Sequence, residues 1–253
     1  MANNYKIGLG LIKSKLLWDF KLESFRSRKA INRIKNKYLG QKAVIVCNGP
    51  SLNKVDLSKL KNIYTFGLNK IYLKFDENDF KTNCIISVND DVLEQCEEIF
   101  KKLNIDIFFK SKAYKIYGRK ENFRYIHTTG FPSFSEDCSE SVYIGGTVTY
   151  VALQLAFHMG FKYVGLIGCD HSFKGYTGYT TERKLFEGPD INHFDPNYFK
   201  DQVWGLPNIP KSEFVYSMAK ENYEKNNRII YNCTEGGKLE VFERLDLDEF
   251  LKL

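Results

Sequence analysis

The sequence predicts an α/β fold with a mainly parallel sheet that helices cover on both faces. Short runs rich in β-branched and aromatic residues alternate along the chain with helical stretches, which is the order of βαβ units. These runs are continuously apolar, as strands buried on both faces are. The length of 253 residues and the charged fraction of 27% are those of an ordinary globular protein, so a disordered or fibrous chain is excluded.

The individual elements follow from the same patterns. Strands are expected at 42–47, 63–66, 84–88, 105–109, 163–167 and 228–231, and helices at 56–60, 92–103, 147–159 and 212–225. Residues 110–144 are expected to be irregular except for an extended piece at 123–127, and the tail 238–253 to hold a short strand and a helical end. Residues 172–211 contain four of the six prolines and predict a long loop that acts as a lid.

Most of the positive charge lies near the N-terminus. The chain carries +6, but residues 1–42 hold eleven Lys and Arg against two acids, so they carry +9 and the remainder −3. The body is therefore not expected to bind nucleic acid. Residues 5–38 predict one or two basic helices. They either lie in an anionic membrane surface, with Trp18 and Phe side chains inserted, or pack on the body.

Two units are thus expected, a basic amphipathic helical segment at 1–41 and a Rossmann-like domain at 42–253. The six cysteines have no CxxC spacing and indicate neither a zinc site nor disulfides. No apolar run is long enough to span a bilayer, and the start lacks a signal peptide's features. A cytoplasmic protein, peripheral on the cytoplasmic face of the inner membrane, is the expectation.

Two glycine-containing loops are candidates for binding a nucleotide. Asn48, Gly49, Pro50 and Ser51 follow the first strand, and Gly145, Gly146 and Thr147 precede the long apolar helix. Glycine lets the backbone approach a phosphate, and a helix N-terminus offers free N–H groups. Neither loop is a Walker A or GxGxxG motif, and the first is equally a good turn and helix cap.

Candidate catalytic residues cluster in two later segments. Asp170 and His171 end the strand at 163–167, where Asp170 either binds a hydroxyl, metal or amine or caps a turn. His193 lies in the lid and is a candidate general base, since His titrates near neutrality. Tyrosines of the lid can donate hydrogen bonds to a phosphate leaving group without a metal, and the candidates are Tyr176, Tyr179 and Tyr198.

Three further groups of residues are weaker candidates. Asp90 and Asp91 follow the third strand and either chelate a divalent ion or cap the next helix. His158 lies on an apolar helix and is expected to be structural, and His127 is a weak candidate. The sequence contains no GxSxG or HExxH motif, which argues against a hydrolase or a zinc enzyme.

At this point two blocks resemble a known family. Val-Ile-Val-Cys-Asn-Gly-Pro-Ser-Leu at 44–52, and Val-Gly-Leu-Ile-Gly-Cys-Asp at 164–170 after a glycine-led helix, resemble the bacterial sialyltransferases of glycosyltransferase family 42. The same blocks occur in the domain-of-unknown-function-115 superfamily, which includes 6-hydroxymethylpterin pyrophosphokinase-like proteins. The segments at 193–199 and 232–242 are similar to superfamily members found among surface-polysaccharide genes. The resemblance spans about 42–245 in scattered blocks.

The resemblance implies a variant of the GT-A fold with one Rossmann-like domain and a lid. It implies an inverting transfer from a CMP-activated nonulosonic acid that needs neither metal nor other cofactor. It places the nucleotide on Asn48, Gly49, Ser51 and Asn69, the base at His193, and Tyr176 and Tyr179 on the phosphate. His171 stands where those enzymes carry an aromatic residue, so the base remains open between His193 and His171.

Three functional hypotheses follow. The first is a CMP-sugar-dependent glycosyltransferase that acts on a surface glycan such as lipopolysaccharide or capsule, or on its lipid-linked precursor. The second is a pyrophosphokinase-like phosphotransferase that uses ATP with Mg²⁺ held by Asp90, Asp91 and Asp170. The third is a non-catalytic, membrane-associated nucleotide-binding protein, because a fold does not fix a function.

Overall fold

The structure is a computed structural model that describes residues 4–75, 77, 79–174 and 183–253. Its strands are β1 (Lys42–Val46), β2 (Tyr64–Leu68), β3 (Cys84–Ser87), β4 (Asp106–Lys110), β5 (Phe123–Ile126), β6 (Thr128–Thr129), β7 (Val142–Tyr143), β8 (Tyr163–Ile167), β9 (Arg183–Phe186), β10 (Gln202–Gly205), β11 (Ile229–Asn232) and β12 (Glu243–Arg244). Its helices are α1 (Asn4–Asp19), α2 (Leu22–Asn32), α3 (Asp90–Gln95), α4 (Glu97–Lys102), α5 (Tyr114–Tyr117), α6 (Val148–His158), α7 (Ile209–Lys225) and α8 (Leu247–Lys252). Short 3₁₀ helices lie at Pro50–Lys54, Leu57–Leu60, Ile71–Lys74 and Ser111–Ala113.

Eight strands form one parallel sheet in the order β12-β11-β8-β1-β2-β3-β4-β5. From β1 the chain runs through β2 to β5 in one direction and then returns to β8 on the other side of β1. The order of strands therefore reverses between β1 and β8. Such a reversal opens a crevice at the carboxyl ends of the two strands, and ligands of open α/β sheets bind there.

The two faces of the sheet bury separate hydrophobic clusters. Along β1, Ala43 and Ile45 face the side covered by α6 and α7, while Val44 and Val46 face the side of α3, α4 and α8. Helices thus cover both faces, and the Rossmann-like α/β prediction is confirmed. The helix predicted at 92–103 is two short helices that meet at Cys96, whose φ of −110° interrupts the first.

The lid prediction at 172–211 needs correction in detail. Its described part contains an antiparallel hairpin of β9 and β10, and α7 begins at Ile209 instead of residue 212. Asn208 caps that helix by accepting from the amide of Lys211, and Pro210 lies in its first turn. The strand at 123–127 joins the sheet as its edge, where α2 covers it.

The N-terminal helices are fastened to the body. The amide of Tyr125 at the sheet edge donates to Ser27 Oγ at 3.0 Å, and Arg26 donates to the carbonyl of Phe123. Trp18 is buried in the core and so anchors α1, which agrees with the alternative that these helices pack on the body and not with insertion of Trp18 into lipid. None of the helices in the described ranges is long and apolar enough to cross a membrane.

Candidate functional site

A cleft of about 280 Å³ opens at the reversal of strand order between β1 and β8. Its volume is near the lower end of small-molecule sites, which hold about 300–1,000 Å³. Nine of the residues that the sequence singled out line it: Asn48, Gly49, Asn69, Gly146, Thr147, Asp170, His171, His193 and Tyr198. They come from five separate segments, because the carboxyl ends of neighbouring parallel strands share one edge.

The loop after β1 passes so close to the loop after β8 that only glycine fits at position 49. The Gly49 amide donates to the carbonyl of Gly168 at 2.8 Å. A Cβ on Gly49 would lie 1.9 Å from Asp170 Oδ2 and 2.7 Å from the Gly168 oxygen. The side-chain amide of Asn48 donates to the carbonyl of Leu68 at 3.0 Å. Its Oδ1 is buried and has no hydrogen-bond partner within the described residues, so a ligand's amine or hydroxyl would satisfy it.

The side chains of Ser51 and Asp170 bond to each other, so Ser51 is not available to bind a ligand in the cleft. Ser51 Oγ donates to Asp170 Oδ2 at 2.7 Å, and the Ser51 amide lies 3.3 Å from both carboxylate oxygens. Ser51 is buried and does not line the cleft, and Pro50 starts a 3₁₀ helix behind it. The contact makes Asp170 a clamp between the two loops, while Asp170 itself still borders the cleft.

The second glycine loop brings a helix N-terminus to the cleft. Gly145 and Gly146 have φ of +64° and +85°, a conformation that side chains disfavour. Thr147 caps α6 by accepting from the amide of Thr149 and lines the cleft with Gly146. Gly145 is packed behind, where a Cβ would lie 2.7 Å from Val215. The partial positive charge at the start of α6 favours an anion in the cleft.

The lid supplies a histidine–carboxylate pair. His193 Nδ1 lies 2.8 Å from Asp190 Oδ2, and both side chains are mostly buried, with exposed fractions of 11% and 6%. Burial raises the pKa of Asp190, but the hydrogen bond from His193 and backbone amides outweighs it, and the net pKa is lowered. The amide of Phe194 donates to the carbonyl of Asn48 at 2.9 Å, so this pair is fixed to the loop after β1.

His171 has a carboxylate partner of a different kind. Its φ of +51° places it in the left-handed region directly after Asp170, and its Nε2 lies 3.3 Å from Glu213 Oε1 on α7. Glu213 is half exposed, so solvent screens that contact more than it screens the Asp190 contact. Burial lowers the pKa of His171, and the ring is neutral at pH 7.

The structure describes one of the three candidate lid tyrosines. Tyr198 lines the cleft and stacks on His193 with ring centroids 4.1 Å apart. Its hydroxyl accepts from the Lys70 amide at 3.3 Å, and burial raises its pKa, so the hydroxyl stays protonated at neutral pH and can donate a hydrogen bond. Tyr176 and Tyr179 lie outside the described residues.

Two parts of the cleft were not predicted from the sequence. Asn89 follows β3 as Asn69 follows β2, and both line the cleft. Asn69 was expected from the family resemblance alone, and the position of Asn89 after a buried strand is the signal that could have predicted it. An aromatic wall was also missed, in which Phe173 lies 5.8 Å and Phe199 5.0 Å from the Trp204 ring.

The carboxylates considered for magnesium are engaged elsewhere. Asp90 pairs with Lys110 and Asp91 with Arg183, and neither lines the cleft. The part of the chain that the structure describes holds no group of three or more His, Cys, Asp or Glu side chains placed to bind a metal ion. His158 is structural, as expected, because its ring bonds the Cys138 amide and the Ile31 carbonyl.

The fold and the cleft define an α/β protein with a ligand site at its strand-order reversal. A family model described as 6-hydroxymethylpterin diphosphokinase MptE-like matches residues 21–175. The chain belongs to this MptE-like family, which confirms the superfamily that the motifs indicated. No curated protein matches the chain.

The fold is also similar to a solved structure of a MAf glycosyltransferase from Magnetospirillum magneticum AMB-1. The two share a TM-score of 0.52 and 15% sequence identity. The similarity covers 88% of this chain and 38% of that one, so this chain spans well under half of the neighbour's length. At this identity the likeness concerns the fold.

Proposed function

We propose that the chain is a glycosyltransferase that moves a nonulosonic-acid-type sugar from a CMP-activated donor to a surface-glycan acceptor. The observation that carries the proposal is the His193–Asp190 pair in a cleft at the strand-order reversal. A histidine whose Nδ1 donates to a buried carboxylate has its Nε2 lone pair free to accept a proton. The similarity in fold to a glycosyltransferase supports the same class.

In the proposed reaction His193 Nε2 takes the proton of an acceptor hydroxyl. The acceptor oxygen attacks the anomeric carbon, the bond from that carbon to the phosphate oxygen breaks, and CMP leaves with the bonding electron pair. A single displacement inverts the anomeric centre. Asp190 stabilises the imidazolium that forms, as the carboxylate partner of a catalytic histidine does.

The donor's nucleotide is assigned to the loops after β1 and β2. Asn48 and Asn69 offer polar groups at the strand ends, and Gly49 lets the loop after β1 pass close to the loop after β8. The phosphate is assigned to Gly146 and Thr147 at the start of α6, where the helix dipole stabilises its charge. Tyr198 lies beside His193 and donates a hydrogen bond to the leaving group in this proposal, as do Tyr176 and Tyr179.

Release of CMP from a CMP-nonulosonic acid tests this proposal. We expect His193→Asn to lower the rate about 10²–10⁴-fold, the usual contribution of a general base. Asp190→Asn is expected to lower the rate through the same step, because the imidazolium that forms loses its carboxylate partner. The matched control is His171→Asn, which removes the other cleft histidine. If His171→Asn abolishes the rate and His193→Asn leaves it intact, the base assignment is wrong.

The family description favours a second candidate, an ATP-dependent diphosphokinase-like phosphotransferase. Such a reaction uses Mg²⁺ to neutralise the charge of the phosphates. Asp170 is the carboxylate at the cleft edge, and Ser51 already occupies one of its oxygens. Activity that depends absolutely on Mg²⁺ and ATP would favour this candidate, and full activity in EDTA would contradict it.

A further inference from the structure

The first helix has two apolar faces, and one of them packs on the body. Trp18 is buried in the core, and Leu11 lies against Gly130. Seven residues apart, these two side chains share one face of α1. Leu9, Ile12 and Leu16 fall on the opposite face at 3.6 residues per turn, and each is at least half exposed.

This apolar surface continues past the end of α1. Phe20 in the α1–α2 turn and Leu22 and Phe25 on α2 are strongly exposed. Nine of the seventeen large hydrophobic residues that the described chain exposes lie within residues 5–25. Solvent-exposed hydrophobic residues of monomers are normally scattered singly, and a concentration of this kind marks an interaction surface.

Cations without acidic partners surround the apolar residues. Within the described ranges no ion pair engages Lys13, Lys21, Lys29 or Arg33, and all four are exposed. Lys29 on α2 and Arg33 at its C-cap border a shallow depression together with Phe25 and Asn32, next to Arg28, which pairs with Glu140. An apolar strip beside unpaired cations is complementary to a layer of acyl chains beneath anionic headgroups.

We propose that α1 and α2 dock this protein on an anionic lipid bilayer. The exposed face of α1 inserts Leu9, Ile12 and Leu16 at the headgroup boundary, and the cations of α2 bind lipid phosphates. Trp18 holds α1 on the body, so the helix lies along the surface as part of the folded protein. A helix with aliphatic residues on one face and lysines beside it suits such an interfacial position.

Co-sedimentation of the full chain with lipid vesicles tests the proposal. We expect binding to phosphatidylcholine vesicles that contain phosphatidylglycerol, about tenfold or more weaker binding to phosphatidylcholine alone, and release by salt. The double variant Ile12→Gln, Leu16→Gln is expected to lower the partition coefficient at least about tenfold, because two apolar side chains no longer insert. Its control is Leu185→Gln with Phe214→Gln, which removes exposed hydrophobic residues elsewhere.

Charge reversal tests the role of the cations independently. Lys29→Glu with Arg33→Glu is expected to lower binding to anionic vesicles by about tenfold or more, while the control Lys61→Glu with Lys112→Glu retains binding. All four substituted residues are exposed, and a far-UV circular dichroism spectrum verifies that each variant is folded.

Two results would overturn the proposal. Equal binding to neutral and anionic vesicles would contradict the role of the cations. Self-association in analytical ultracentrifugation that is abolished by Ile12→Gln, Leu16→Gln, together with no vesicle binding by the wild type, would identify a second copy of the chain as the occupant.

Discussion

Removal of the Ser51 hydroxyl tests whether Asp170 clamps the two loops of the cleft. In Ser51→Ala, Asp170 loses its 2.7 Å hydrogen bond and keeps the two amide contacts at 3.3 Å. Ser51 is only 6% exposed, so water cannot easily replace the hydroxyl. A hydrogen bond to a charged group contributes about 1.5–3 kcal/mol, and we expect the free energy of unfolding to fall by that amount.

Urea unfolding of a double-mutant cycle measures the contact itself. With Asp170→Asn as the second change, we expect a coupling energy of about 1–2 kcal/mol between the two sites. The control is Ser217→Ala on the exposed face of α7, which is expected to change stability by less than about 0.5 kcal/mol. Additive effects of Ser51→Ala and Asp170→Asn, within about 0.5 kcal/mol, would refute the clamp.

Two further outcomes are expected from the packing and the titrating groups. Gly49→Ala forces its Cβ against Asp170, so we expect the protein to lose several kcal/mol of stability or to fail to fold. The control Gly8→Ala has open space around it and is expected to fold normally. A stable, ligand-binding Gly49→Ala protein would contradict the close approach of the two loops. Burial lowers the pKa of His127, His158 and His171, so the unfolded chain binds more protons near pH 6. Stability is then fully present above pH 6.5 and lost as pH falls below it, by at most about 1.4 kcal/mol per pH unit for each histidine. A urea midpoint that is unchanged between pH 7 and pH 5.5 would contradict this.

The strand-end residues were predictable because they depend on local sequence. A buried apolar run that ends in Asn-Gly or Gly-Cys-Asp places those residues at the carboxyl edge of the sheet. Asn48, Gly49, Asp170 and His171 were predicted in this way, whereas Asn69 was predicted from the family resemblance, and all five line the cleft.

The features that the sequence did not predict depend on contacts between distant segments. The Ser51–Asp170 hydrogen bond joins residues 119 positions apart, and no local sequence pattern predicts it. The sequence left open whether Trp18 inserts into a membrane or packs on the body, and tertiary contacts bury it. The hairpin of β9 and β10 escaped prediction because β9 exposes three of its four residues and neither strand has the continuous apolar run of a core strand.

Calorimetric titration with CMP in the presence of EDTA tests the central claim most directly. We expect CMP to bind without metal, and Asn48→Ala to weaken binding about tenfold or more, because a buried amide that pairs with the nucleotide is removed. A parallel titration with ATP and Mg²⁺ is expected to give weaker binding. The absence of CMP binding, together with tight Mg²⁺-dependent binding of ATP, would contradict the CMP-sugar assignment and favour the phosphotransferase.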